Sequence, residues 1–198
     1  MLETFKRWFH FNKRYLGNPR WDTGVSPPEL MNFLASNPAG RALDIGCGTG
    51  TNLVSMAEVG WEVTGVDMIP IAVWKARSKL RQANLAGRVI WGNVSQSLKL
   101  QGRYDFILDM GCYHSLSYPD REKYRKNIKL WIKPNGVFLI YAHLPTDPKS
   151  IHGFRQVDLQ AFQTFLQLEW RTQNPERGSD DGVHRPSAWM QFRWIEPV

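Results

Sequence analysis

The length, composition and charge of the chain limit what it can be. Its 198 residues are enough to bury the core of one domain without disulfides. The two cysteines lie outside any C-x-x-C pair, and no long apolar run marks a signal peptide or a membrane span, so we expect a cytoplasmic protein. The formal net charge of +7 favours anionic partners, but the basic residues are scattered, so we expect no nucleic-acid partner. No residue cluster predicts a metal site.

The first sixteen residues have the pattern of an amphipathic helix. Phe5, Trp8 and Phe9 fall along one helical line, and the lysines and arginines lie elsewhere. Three interpretations stay open: a helix packed on the body of the protein, a lid over a substrate, or a helix lying on a membrane surface. We predict a single domain over residues 1–198, with residues 1–36 as a helical cap within it, and leave its oligomeric state open.

The most informative segment is L-D-I-G-C-G-T-G at residues 43–50. An acid between apolar residues indicates the end of a buried strand, and the apolar spacing after the segment is typical of a helix. Alternating glycines between a strand and a helix bring bare backbone within contact distance of a ligand. The spacing differs from the G-x-G-x-x-G of dinucleotide-binding proteins. A nucleotide-type cofactor site is predicted here; a nicotinamide or flavin site and a turn without a ligand are the alternatives.

Polar residues follow the next three predicted strands. Asp67 ends the run E-V-T-G-V-D, Asn93 follows R-V-I-W-G, and Asp109 ends Y-D-F-I-L-D. Helical segments separate the strands, at about residues 50–58, 70–84 and 120–131. This alternation predicts a parallel sheet covered on both faces, whose carboxyl ends meet at one edge. A carboxylate at the position of Asp67 can accept hydrogen bonds from both hydroxyls of a ribose. The side-chain amide of Asn93 can likewise form hydrogen bonds to a ligand, and a turn-forming role is the alternative for this residue.

The glycine loop and these strand ends resemble the class I S-adenosylmethionine-dependent methyltransferases, which have a Rossmann-like seven-stranded sheet. The sequence L-W-I-K-P-N-G-V-F-L-I at residues 130–140 is similar to the junction before the fifth strand of that family. The resemblance implies S-adenosyl-L-methionine as the cofactor and S-adenosyl-L-homocysteine as its product. The cofactor-binding residues that it implies are Trp21, Asp44, Gly46, Cys47, Gly48, Gly50, Asp67, Met68, Asn93, Val94 and Asp109.

The last part of the chain predicts an antiparallel hairpin. A helical pattern covers residues 158–168, and strand-like runs at 165–171 and 188–194 flank a polar loop at 173–186. Such a pair matches the reversed last strand of the methyltransferase fold and is absent from typical dehydrogenases. The predicted fold class is therefore α/β: a Rossmann-like, doubly wound, seven-stranded sheet, mostly parallel with an antiparallel C-terminal hairpin strand and with helices on both faces.

Two segments narrow the resemblance to enzymes that act on small molecules. W-D-T-G-V-S-P-P at residues 21–28 resembles the entry of the thiopurine, thiol, halide and tellurite-resistance methyltransferases, which implies that Trp21 packs near the methionine end of the cofactor. D-M-G-C-Y-H-S-L at residues 109–116 resembles a stretch of small-molecule members. The N-P-P-Y or D-P-P-Y tetrapeptide frequent in nucleic-acid and protein-amide methyltransferases does not occur.

His114 is the predicted catalytic residue, as a general base. Histidine suits proton removal near neutral pH because its ordinary pKa is about 6.5. A base is needed only for a protonated acceptor; a thiolate, a selenolate or a halide needs none. Cys112, Tyr113 and Tyr118 are the predicted substrate contacts. The alternatives are a structural histidine, a small packing cysteine, and tyrosines that cover the start of the next helix.

Taken together, these patterns predict an enzyme that moves a methyl group to a small molecule by in-line displacement, at a thiol or another soft nucleophile. Positioning of the two reactants can contribute ~7–11 kcal/mol to such a reaction. Two alternatives stay open: O- or N-methylation of a small metabolite, and a regulatory homologue that binds the cofactor without turnover.

Overall fold

The structure, a computed structural model, describes residues 2–17, 19, 21–147, 150, 153–178 and 184–195, with side chains from Trp8 onward and outside residues 173–185. The helices are α1 (Leu2–Tyr15), α2 (Pro28–Ser36), α3 (Thr51–Glu58), α4 (Pro70–Gln82), α5 (Tyr118–Trp131) and α6 (Gln156–Gln163). The strands are β1 (Arg41–Ile45), β2 (Glu62–Asp67), β3 (Arg88–Trp91), β4 (Tyr104–Met110), β5 (Ile132–His143), β6 (Leu166–Gly178) and β7 (His184–Trp194).

The strands form a seven-stranded sheet in the order β3-β2-β1-β4-β5-β7-β6. The pairs β1–β2, β2–β3 and β4–β5 are parallel. Strand β7 runs antiparallel to both β5 and β6. The predicted fold class is confirmed, since a mostly parallel sheet ends in an antiparallel C-terminal hairpin.

The chain divides into two compact units, residues 1–99 and 100–198. In the first unit, β1 and β2 are buried along almost their whole lengths, as expected for parallel strands covered on both faces. Helix α3 connects β1 to β2, and α4 connects β2 to β3. Parallel neighbours require such crossovers, which explains the alternation of strands and helices in the sequence.

Helix α1 packs on the start of α4 in this first unit. Tyr15, at the end of α1, is buried against Ile69 and Ala72, and Trp8 and Phe11 pack around the same cluster. The Lys75 ammonium donates a hydrogen bond to the Tyr15 carbonyl at 3.1 Å. This packing agrees with the first interpretation of the N-terminal helix. The lid and the membrane-surface interpretations stay predictions, as does the division into one domain with a helical cap.

The second unit is built on the buried strands β4 and β5. The rings of Phe138, Phe162 and Phe192 pack together in its core, with ring centroids 5.4–6.1 Å apart. Helix α5 buries a face that includes Arg121, whose guanidinium donates to the Asp158 carboxylate at 2.8 Å. Both side chains are almost completely buried. The unit therefore contains a buried ion pair beside its aromatic core.

Strand β5 includes the K-P-N-G segment at residues 133–136, whose proline, asparagine and glycine are typical of a turn. Tyr104 pairs with Ile132, and Phe106 pairs with Val137, so the extra residues form a bulge in β5. Asn135 adopts a positive φ of 61° within this bulge. Asparagine tolerates that conformation well, which is why the local sequence also reads as a turn.

The C-terminal hairpin is longer than predicted. Helix α6 ends at Gln163, and the prediction of a helix to residue 168 is wrong because β6 begins at Leu166 and pairs with β7. Cross-strand pairing overrides the helical spacing of these apolar residues. The predicted loop at 173–186 is largely strand, and residues 179–183 lie outside the described part of the chain.

None of the helices within the described ranges combines the length and the apolar character needed to cross a membrane.

Candidate active site

The three glycines after β1 adopt backbone conformations that favour glycine. Their φ values are +69° at Gly46, +53° at Gly48 and +84° at Gly50. A Cβ added at Gly50 would lie 2.9 Å from the Ala76 Cβ, and one added at Gly48 would lie 2.9 Å from the Tyr15 hydroxyl. The loop therefore needs glycine at these positions for both conformation and space, and it presents bare backbone between β1 and α3.

Asp67, at the end of β2, supports this loop. Its carboxylate accepts hydrogen bonds from the Gly48 backbone N–H at 2.9 Å and the Ile69 backbone N–H at 2.8 Å. The side chain is 6% exposed, and this burial raises the pKa of Asp67 to about 6 in spite of the hydrogen bonds. A carboxylate has about four lone-pair positions, so it can accept further hydrogen bonds from a ligand.

The pKa of Asp67 gives a testable pH dependence. Because the folded state binds this proton more tightly than the unfolded chain, the group lowers the free energy of unfolding as the pH rises from 3.8 to about 6. The total effect is about 2–3 kcal/mol. In Asp67→Asn the effect disappears. We expect the free energy of unfolding of the variant, minus that of the unaltered protein, to increase through this window and then level off. Urea unfolding at several pH values measures the difference; a pH-independent difference would contradict the prediction.

The segment after α1 lies against the glycine loop. The Trp21 indole N–H donates to the Tyr15 hydroxyl at 3.2 Å, and the two rings meet edge to face at 5.9 Å. The Thr49 hydroxyl in the glycine loop donates to the Asp22 carboxylate at 2.8 Å. Ser26 donates to the Asn52 side chain at 2.9 Å. Hydrogen bonds thus connect the W-D-T-G segment to the glycine loop, which is the predicted cofactor-binding loop.

Sequence reasoning missed Tyr15. Its hydroxyl lies beside Gly48, and burial followed by the charge of Asp67 raises the pKa of the Tyr15 phenol above its usual range. The available signal was the helical spacing of Trp8, Phe11 and Tyr15 in α1.

The other predicted cofactor residues of the first unit lie at strand ends or in the loop. Asn93 accepts hydrogen bonds at Oδ1 from the Ser95 backbone N–H at 3.0 Å and from the Ser95 hydroxyl at 2.9 Å. The Met68 carbonyl accepts a hydrogen bond from the Trp91 indole at 3.0 Å. Three further predicted residues are buried, namely Asp44, Cys47 and Val94. The structure thus brings the glycine loop, Asp67 and Trp21 together within one unit.

In the second unit, Asp109 organises the loop that follows β4. Its carboxylate accepts hydrogen bonds from the Cys112 backbone N–H at 2.7 Å, the Tyr113 backbone N–H at 3.0 Å and the Tyr124 hydroxyl at 2.6 Å. Asp109 is fully buried, which raises its pKa to about 7. These contacts give Asp109 a structural role in shaping the loop. Its predicted role in cofactor binding stays a prediction.

The predicted substrate residues differ in their accessibility. Tyr113 is fully buried, and its hydroxyl donates to Asp158 at 2.9 Å. Tyr118 is 61% exposed, with the Arg155 guanidinium 5.8 Å from its ring centroid. Cys112 is partly exposed and is not in a disulfide. The substrate role of Tyr113 stays a prediction, while the structure gives this side chain a place in the core; Tyr118 and Cys112 are accessible from solvent.

His114 lies on a short 3-10 turn, Tyr113–Ser115, next to the end of β5. Its Nδ1 accepts a hydrogen bond from the His143 backbone N–H at 3.3 Å, and the two imidazole rings meet edge to face at 4.7 Å. The sequence gives no sign of this contact, because nothing near His143 in the sequence marks it. No group of three His, Cys, Asp or Glu side chains within the described residues could hold a metal ion.

Comparisons with known proteins agree with this geometry. Residues 42–136 match the family described as "Methyltransferase domain". The chain is 26% identical over 148 residues to a 2-heptyl-1-hydroxyquinolin-4(1H)-one methyltransferase of Mycobacteroides abscessus, covering 72% of this chain and 65% of that protein. It is 28% identical over 155 residues to a probable thiol methyltransferase 2 of Arabidopsis thaliana, covering 76% and 67% of the two chains.

Among solved structures, the fold is similar to that of the N-methyltransferase NodS from Bradyrhizobium japonicum in complex with S-adenosyl-L-homocysteine. The TM-score is 0.78 at 16% identity, and the match covers 96% of this chain and 98% of that one. The chain spans between 32% and 65% of the length of the first curated relatives that it matches. The matched domain, the seven-stranded sheet and the glycine loop together make the chain similar to the Rossmann-like, class I family of S-adenosylmethionine-dependent methyltransferases.

Proposed function

We propose that the protein transfers a methyl group from S-adenosylmethionine to a small molecule, at a thiol or another soft nucleophile. When bound, the cofactor supplies an electrophilic methyl group that a nucleophile displaces from the sulfonium sulfur, with S-adenosylhomocysteine as the product. The residues of this chain bind and orient the two reactants and exclude water from them.

The single observation that carries the proposal is the pairing of the glycine loop with Asp67. The loop offers three glycines at positive φ, and Asp67 accepts a hydrogen bond from the middle one of them. The remaining lone pairs of this buried carboxylate suit the two hydroxyls of a ribose. The spacing G-x-G-x-G, without a third glycine placed for a pyrophosphate, favours a nucleoside cofactor without phosphate groups.

The aromatic residues before the loop suit a sulfonium cofactor. Trp21 is 37% exposed, and Tyr15 holds its indole N–H, so the ring is kept in one orientation beside the loop. An indole face attracts a cation and excludes water from it. We assign Trp21 and Tyr15 to the methionine end of the cofactor, where a weakly polar surrounding favours the loss of positive charge during the reaction.

We assign the adenine end to Asn93 and its neighbours. Because the Asn93 Oδ1 already accepts from Ser95, the amide N–H groups are the ones able to donate to a ring nitrogen of adenine. Met68 follows Asp67 directly after β2, and Val94 follows Asn93 after β3. Asp44, Cys47 and the loop glycines complete the proposed cofactor set.

The proposed acceptor class is supported by the relative named as a probable thiol methyltransferase, and a second relative is named for a hydroxyquinolinone. The second unit offers Cys112 and His114 on the loop after β4, and Tyr118 at the start of α5, as accessible or partly accessible side chains. O- or N-methylation of a small metabolite and a regulatory role without turnover are the alternatives that the experiment distinguishes.

Calorimetry and a product assay test the proposal. We expect S-adenosylhomocysteine to bind in preference to NAD or FAD, and mass spectrometry to detect methylated product from at least one thiol in a panel of thiols, phenols, amines and halides. Product from phenols or amines alone would favour the alternative acceptor classes. Binding without any product would favour the regulatory role, and binding of NAD or FAD instead of S-adenosylhomocysteine would refute the cofactor assignment.

A further inference from the structure

The hydrogen bond between His143 and His114 determines which nitrogen of His114 carries the proton. A backbone N–H can only donate, so the His114 Nδ1 that faces it at 3.3 Å must present its lone pair. Neutral imidazole has one protonated nitrogen. In this geometry the neutral form of His114 therefore carries its proton on Nε2 and acts there as a hydrogen-bond donor.

The turn that carries His114 is firmly held, so this arrangement is a feature of the fold. The Arg121 guanidinium donates to the His114 carbonyl at 3.1 Å, and the same guanidinium is paired with Asp158. The centroid of the His143 ring lies 4.7 Å from that of the His114 ring and 5.8 Å from that of the Tyr141 ring. A Cβ at Gly111 would lie 3.5 Å from the His114 Cε1, so the ring packs against the loop as well.

This arrangement does not suit a general base. To accept a proton at Nε2, neutral His114 would have to carry its own proton on Nδ1, where it would face the His143 N–H. To accept a proton at Nδ1, it would have to break that hydrogen bond. Among the described residues of the unit, the buried carboxylates Asp109 and Asp158 do not substitute for it, because both accept hydrogen bonds from donors of the fold.

We infer that His114 acts as a hydrogen-bond donor through Nε2 and orients a methyl acceptor that is already an anion, such as a thiolate. This inference rests on the proposed function and specifies its substrate class: acidic soft nucleophiles that need no base in the enzyme. The acceptor uses its lone pair to form the bond to the methyl carbon, the carbon–sulfur bond of the cofactor breaks, and no proton is transferred to the protein.

The tautomer can be measured on the full chain without cofactor or acceptor. We expect long-range proton–nitrogen correlation NMR of the ¹⁵N-labelled protein above pH 8 to show His114 with a protonated Nε2 and an unprotonated Nδ1. The His114→Gln variant assigns the signals among the five histidines of the chain. A protonated Nδ1 in His114 would overturn the inference, whatever the activity of the protein.

Two variants test the donor role in methyl transfer. Glutamine places an amide N–H near the position of Nε2, whereas phenylalanine keeps the ring and has no donor. We expect His114→Gln to keep thiol methylation within about tenfold of the unaltered protein, and His114→Phe to lose about 10–100-fold, the effect of one hydrogen bond to a charged group. Equal losses in both variants would overturn the donor role, since a base is lost in both.

The pH profile separates this inference from the proposed function. For thiols of different acidity, we expect the rate of the unaltered protein to follow the thiolate fraction of each thiol. A rate that follows the same protein group for every thiol would overturn the inference and leave the proposed function intact. Absence of product from every acceptor would refute the proposed function, and this inference with it. Circular dichroism and thermal midpoints confirm that both variants are folded.

Discussion

Replacing Arg121 with methionine is expected to lower the free energy of unfolding by about 3–5 kcal/mol, the usual cost of removing one partner of a buried ion pair. The side chain is 1% exposed and donates to Asp158, to the Leu116 carbonyl and to the His114 carbonyl. Methionine fills much of the same volume, so the loss reports the missing charge and donors. It leaves Asp158 buried with less compensation and two carbonyls without this donor.

Urea unfolding measures this effect through the midpoint and the slope of the transition. A matched control is Lys126→Met on the same helix: Lys126 pairs with Glu122 one turn away, but both side chains are largely exposed, so we expect little change. Arg121→Lys keeps the charge without the planar fork and should fall between the two. If Arg121→Met were no less stable than Lys126→Met, the buried pair would not stabilise the fold by this amount.

Changing Asp67 to asparagine is expected to weaken S-adenosylhomocysteine binding by about 10–100-fold, because hydrogen bonds to charged groups contribute about 1.5–3 kcal/mol. The amide cannot accept at both of its ends. It therefore disturbs the contacts to Gly48 and Ile69 as well as those proposed to the ribose. Titration calorimetry with the unaltered protein and the variant measures the change in affinity.

Glu62→Gln is the matched control for this variant. Glu62 begins the same strand, is exposed and pairs with Arg41, so its replacement should leave the affinity unchanged. Asparagine removes the unfavourable buried charge of Asp67 but also one acceptor of the hydrogen bonds from Gly48 and Ile69. These two effects oppose each other, so we expect the free energy of unfolding of Asp67→Asn near neutral pH to stay close to that of the unaltered protein. Reduced binding with undiminished stability would separate ligand recognition from folding. Unchanged binding in Asp67→Asn would remove Asp67 from the cofactor site.

The glycine loop and the position of Asp67 were largely predictable, because they depend on short segments. The spacing of Gly46, Gly48 and Gly50 predicts a turn with bare backbone, and a run of β-branched residues places an acid such as Asp67 at the end of a buried strand. The period of apolar residues gave the alternation of strands and helices and hence the fold class. The ends of the elements were less predictable, as β5 and the C-terminal hairpin show, because strand pairing depends on the partner strand.

Partners distant in the sequence determine the rest. The sequence around Arg121 gives no sign that Asp158, 37 positions later, lies beside it in the core. The sequence favours His114 as a base, but it does not show that the backbone N–H of His143, 29 positions later, faces its Nδ1. Tyr15 lies beside Gly48 only because α1 packs on α4. Local patterns specify turns, strand ends and faces through short-range sterics and periodicity, whereas protonation, burial and orientation follow from neighbours that folding alone brings together.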